Sequence, residues 1–128
     1  FGLLDMGLHS LTKPLGGNLM ETERSATRRV SLLPEVPGTG QAVHFSHIMD
    51  GGYAAGYYSY KWAEVLEADA FKAFKEKGVF SQEMAERFRS CILSKGGTEP
   101  PMQLYERFRG KKPTIDAMME RDGIRHAK

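Results

Sequence analysis

The 128-residue sequence predicts an all-α protein. Apolar residues recur at helical spacing, no stretch keeps the alternation of a strand, and glycine and proline fall where helices should stop. The first helix is expected over Phe1 to Leu11, with Leu4, Leu8 and Leu11 at helical spacing; Pro14 and Gly16-Gly17 end it. Asn18 caps a second helix, Leu19 to about Leu33. Glu21 and Glu23 stand near its start and Arg28-Arg29 near its end, the charge order that suits the helix dipole. Residues 34–52 read as a loop, its first part rich in proline and glycine, leading into a long third helix from Tyr53 to about Lys77 that Gly78 stops. A fourth helix starts at Ser81 as N-cap, with Glu83 in its first turn, and ends at Gly96-Gly97. A fifth runs from about Pro101 to Phe108, and a sixth from near Pro113 to Gly123. That makes about six helices, with no internal repeat and no low-complexity tract.

Length and composition suit one domain over residues 1–128: 41% hydrophobic and 27% charged is ordinary for a soluble globular protein. A net charge of +2 gives no basis for a nucleic-acid or membrane partner. No apolar run reaches the length of a membrane span. The single cysteine, Cys91, excludes an internal disulfide and reads as a small buried residue; a cytoplasmic location is expected. The chain opens inside an apolar segment, Phe1-Gly2-Leu3-Leu4-Asp5-Met6, and reads as part of a larger protein.

The densest chemical signal is Gly51-Gly52-Tyr53-Ala54-Ala55-Gly56-Tyr57-Tyr58-Ser59-Tyr60. At about 100° per residue, a helix puts Tyr53, Tyr57 and Tyr60 on one face and sends Tyr58 away with Trp62, Val65 and Leu66. Three phenols in a row can donate to an oxygen that gathers negative charge, and the glycine pair lets a peptide backbone come close. Packing in a core is the competing reading of the same pattern. Elsewhere, His44 and His47 are three apart, but no partner cluster makes them a metal pair, and the zinc-protease motif of two histidines four apart does not occur. His9 and His126 are the other two histidines. Arg107, Arg109, Lys111 and Lys112 form a basic cluster at a helix end, where positive charge is favourable without any nucleic acid.

The stretch from Phe45-Ser46-His47-Ile48-Met49-Asp50-Gly51-Gly52 through Tyr60-Lys61-Trp62-Ala63-Glu64-Val65-Leu66 closely resembles the M3 (thimet oligopeptidase) family of zinc metallopeptidases. The likeness continues at Ala68-Asp69-Ala70-Phe71, Ile92-Leu93-Ser94-Lys95-Gly96-Gly97 and Arg107-Phe108-Arg109-Gly110-Lys111-Lys112-Pro113, and upstream at Phe1 to His9; residues 10–42 match poorly. The resemblance implies the C-terminal helical portion of the neurolysin-like catalytic domain of an enzyme that hydrolyses short peptides. Tyr53, Tyr57, Tyr60 and His47 would contact the substrate carbonyl and its tetrahedral intermediate, and Gly51 and Gly52 would make backbone contact. Tyr58 and Trp62 are expected as packing residues. The zinc ligands and the general base of the family lie upstream of the segment matching Phe1, so the cofactor would be zinc in the parent enzyme, with no zinc ligand in this chain. The partners implied are short peptides and the remainder of the catalytic domain, not nucleic acid or membrane. The isolated chain is then expected to be inactive. Endopeptidase and dipeptidyl carboxypeptidase action are both compatible with the resemblance. A non-catalytic helical module that binds peptides is the alternative.

Overall fold

Two of the expected caps start helices as their chemistry requires. In the computed structural model, which describes residues 1–124, the Asn18 carboxamide accepts from the Met20 N–H at 3.0 Å and the Ser81 hydroxyl from the Met84 N–H at 3.3 Å. All regular structure among the described residues is helical. The α-helices are α1 (Gly2–His9), α2 (Leu19–Thr27), α3 (Ser46–Met49), α4 (Ser59–Lys77), α5 (Gln82–Phe88), α6 (Pro101–Arg109) and α7 (Asp116–Arg121). Short 3-10 turns lie at Ala42–His44 and Gly96–Thr98, and a π-helical turn at Arg89–Leu93. His126 lies outside the described residues.

The chain forms two compact units, residues 1–60 and Lys61 onward. The first is built on Leu4, Ala42, Phe45 and Ile48, with Leu8, Leu19 and Tyr57 packed against them. Full burial of side chains such as Leu4 and Ile48 stabilises the unit by about 1.5–3 kcal/mol each. In this unit α1 and α2 meet closely: a Cβ on Gly7 would stand 2.6 Å from the Ala26 Cβ. The carboxylate of Glu23, on α2, accepts from the N–H groups of Gln41 (2.7 Å) and Ala42 (2.9 Å) and so starts the turn at 42–44.

α2 is shorter than its sequence suggests. It ends at Thr27 rather than near Leu33, and Leu32 and Leu33 are 97% and 82% exposed. Those residues find no apolar surface to hold them helical, and Pro34 disfavours helical geometry at Leu33. The stretch 34–52, read as loop, contains both the 42–44 turn and α3.

In the second unit Ala73, Met84 and Phe108 form the core, flanked by Phe74, Phe88, Cys91 and Ile92. Cys91 is half-buried rather than fully enclosed. Phe88 packs edge-on against Phe108, ring centroids 5.2 Å apart. Asp69, on α4, is 2% exposed and takes the Tyr105 hydroxyl at 2.7 Å and the Arg109 guanidinium through Nε and Nη2, both at 3.1 Å. Arg109 therefore faces inward, and Arg107 pairs with Glu99, so two members of the basic cluster are already engaged within the protein. α7 begins at Asp116, later than Pro113, where the Thr114 hydroxyl donates to the Asp116 carboxylate at 2.7 Å in a turn that competes with helix.

Candidate active site

The tyrosine segment is not the start of a helix. α4 begins at Ser59, and Tyr53 and Tyr57 lie in the turns before it, so the helical phasing expected from sequence does not apply to them. Ala55 has φ +54, the left-handed region that interrupts a right-handed helix. For a residue with a Cβ this conformation costs about 1–2 kcal/mol.

What holds Ala55 there is distant in the chain. Asp5, on α1, is fully buried, and its carboxylate accepts from the Ala55 N–H (2.8 Å), the Tyr57 N–H (2.9 Å) and His9 Nδ1 (2.8 Å). Hydrogen bonds to a charged group contribute about 1.5–3 kcal/mol each, enough to outweigh the backbone cost. Burial by itself pushes the Asp5 pKa up, but the bonds from Tyr57, Ala55 and His9 together hold it below the usual carboxylate value. Asp5 thus stays charged at neutral pH. Sequence gave no sign of this role beyond an acidic residue near a helix start; the partners are 50 and 52 residues away.

The turn nevertheless gathers the expected side chains. Tyr60 lies with its ring centroid 5.4 Å from Tyr53 and 4.9 Å from Tyr57. His47, on α3, is 5.9 Å from Tyr53 and 5.8 Å from Tyr57, nearly perpendicular to the latter at 86°. Phe45 supports Tyr57 from behind at 4.8 Å, edge-on. Tyr53 and Tyr60 are 41% and 44% exposed, so both phenols are open to a ligand. The Tyr53 phenol beside it, and then lost solvation, hold the Tyr60 hydroxyl above its ordinary pKa. It remains a proton donor at neutral pH. Tyr58 and Trp62, expected to pack, are 59% and 45% exposed instead.

Gly51 and Gly52 serve different ends. The Gly51 N–H is taken by the Ser46 carbonyl at 2.8 Å, and a Cβ there would meet His47 Cα at 2.8 Å, so this glycine closes α3 tightly. Gly52 has φ +77 and open space around its Cα, which leaves room for a ligand. His44 ends the 42–44 turn and lines a hollow of about 960 Å³ against α2 with Met20, Glu23 and Thr27. Among the described residues no three metal-ligating side chains come together.

An all-helical scaffold thus gathers three phenols and an imidazole beside a glycine turn. The chain belongs to peptidase family M3, whose family model matches residues 1–124. It is 50% identical over 127 residues to oligopeptidase A of Escherichia coli (strain K12), an alignment covering 98% of this chain and 18% of that relative. A probable cytosolic oligopeptidase A of Arabidopsis thaliana is 39% identical over 129 residues, 97% of this chain and 18% of the relative. A dipeptidyl carboxypeptidase of Salmonella typhimurium is 39% identical over 124 residues, 95% of this chain and 18% of the relative. The chain thus spans less than a fifth of the length of these curated relatives, at 18% in each case. The family resemblance carried by the tyrosine segment is borne out. No helix among the described residues is long and apolar enough to cross a membrane.

Proposed function

We propose that this chain is the C-terminal, substrate-facing part of an oligopeptidase that hydrolyses short peptides in the cytoplasm. The observation that carries the reading is the cluster of Tyr53, Tyr57, Tyr60 and His47 around one open surface. Tyr60 and Tyr53 offer O–H donors to the scissile carbonyl, where negative charge grows as the carbon becomes tetrahedral. Tyr57, half-buried against Phe45, packs its ring on Tyr60 and can donate from its edge of the surface. His47 stands beside Tyr53 and Tyr57, where it can hydrogen-bond to the same substrate group. Gly52 leaves space for a peptide backbone against the turn.

The zinc that the family resemblance implies does not fit the described residues, because no three ligating side chains converge among them. Metal and general base would come from the remainder of the catalytic domain, and the chain by itself is expected to lack peptidase activity.

Tyr60→Phe in the full-length protein tests the reading. It removes one donor and keeps the ring. The expected result is a fall in kcat of about 10²-fold on a short fluorogenic peptide, with KM changed much less. Unchanged turnover would remove Tyr60 from the reaction and favour the alternative, a helical module that binds peptides without cutting them.

A further inference from the structure

A buried carboxylate grips the tyrosine turn from α1. Asp5 Oδ1 takes the Ala55 N–H and His9 Nδ1, and Oδ2 takes the Tyr57 N–H. Two N–H groups, two residues apart, thus converge on one charge that is fully shielded from solvent. Such a concave pair of N–H groups is shaped for an anion, and an asparagine amide in its place would have one acceptor atom for the two donors. The other backbone ties of the turn are Tyr53 N–H to the His47 carbonyl (3.0 Å), Gly56 N–H to the Tyr53 carbonyl (2.9 Å), Ser59 N–H to Gly56 (3.0 Å) and Tyr60 N–H to Tyr57 (3.2 Å). Among the described residues, Asp5 alone joins this turn by side-chain hydrogen bonds to α1, and it does so at Ala55, whose φ is positive.

We infer that Asp5 is a positioning residue for peptide hydrolysis: it fixes the backbone at Ala55 and Tyr57, and through the Tyr57 ring the placement of Tyr60 and His47. The inference rests on the peptidase reading of those phenols. Its physical basis is that Tyr57 touches both other members, with Tyr60 at 4.9 Å and His47 at 5.8 Å. Any change in the Tyr57 backbone therefore reaches both. Donors aimed at a developing charge lose their effect when displaced by about 1 Å, which can cost about 10²-fold in rate.

Asp5→Asn in the full-length protein keeps the shape and removes the charge. Steady-state kinetics on a short fluorogenic peptide and hydrogen exchange of segment 53–60 are measured on the same preparation. The expected result is kcat lower by roughly 10- to 100-fold, KM within about threefold, and clearly faster exchange in segment 53–60, with exchange around Asp69 and Tyr105 unchanged. Adding Ala55→Gly to Asp5→Asn should recover part of the lost kcat, because glycine holds positive φ without the carboxylate. A merely structural Asp5 would not give that rescue. Should Asp5→Asn fail to fold, Ala55→Pro is read in its place: it deletes one of the two N–H donors and forbids positive φ, and normal turnover in it overturns the proposal. Unchanged kcat in Asp5→Asn, beside an impaired Tyr60→Phe, also overturns it. An unimpaired Tyr60→Phe instead sinks the peptidase reading itself, and the exchange data still report whether Asp5 holds the turn.

Discussion

Gly51→Ala separates the two glycines that sequence treated alike. The new methyl would stand 2.8 Å from His47 Cα, 3.0 Å from its carbonyl oxygen and 3.3 Å from its carbonyl carbon. All three are main-chain atoms, so no rotamer change relieves the contact. Carbon atoms settle at about 3.5–4.0 Å, so the turn must open by roughly 1 Å. Opening strains the bonds from Gly51 N–H to Ser46 (2.8 Å) and from Tyr53 N–H to His47 (3.0 Å). Overpacking of this kind costs about 1–3 kcal/mol. The larger effect is functional, because the displaced residues are His47 and Tyr53, whose rings lie 5.9 Å apart in the site. A shift of that size predicts a loss of up to about 10²-fold in kcat/KM. Gly52→Ala is the comparison for stability, since a methyl there also takes space left for the peptide. It meets no atom within 4 Å but must hold φ +77, at about 1–2 kcal/mol of backbone strain, with the neighbouring residues undisplaced. Initial rates on a short fluorogenic peptide, with a urea titration of each variant, compare the two. The reasoning fails if Gly51→Ala keeps wild-type kcat/KM.

Two further predictions concern the second unit. Asp69→Ala leaves the Arg109 guanidinium, 9% exposed, without its main partner, and should lower stability by about 3–5 kcal/mol in urea unfolding followed at Trp62. Adding Arg109→Met should restore much of that loss, and no restoration would mean that packing and not the orphaned charge is responsible. Burial first, and then the Asp69 carboxylate, hold the Tyr105 hydroxyl above its ordinary pKa of 10.0. The folded state therefore keeps a proton that the unfolded chain releases. This contribution to stability is complete below pH 10.0 and is lost as pH rises above it, by about 1.4 kcal/mol per pH unit. Urea midpoints should fall less steeply between pH 10 and 11 in Tyr105→Phe than in the wild type, and equal slopes would refute the assignment.

Sequence by itself determined what depends on neighbours a few residues apart. Asn18 and Ser81 cap helices, Gly78 lies just beyond the end of α4, and the tyrosine and glycine spacing carries the family pattern; each works through contacts within about one helical turn. The tertiary structure decided what depends on groups far apart in the chain. Tyr53 to Tyr58 has the composition of a helix, yet a carboxylate 50 residues upstream of Ala55 bends it into a turn. Arg109 reads as part of a basic cluster at a helix end, yet Asp69, 40 residues earlier, draws it inward. Glu23 reads as helix-dipole charge, yet it caps backbone 18 and 19 residues on. The physical reason is the same in each case. A charge drawn even partly out of water must find hydrogen-bond donors or acceptors to offset lost hydration, and folding, not sequence proximity, decides which ones are within reach.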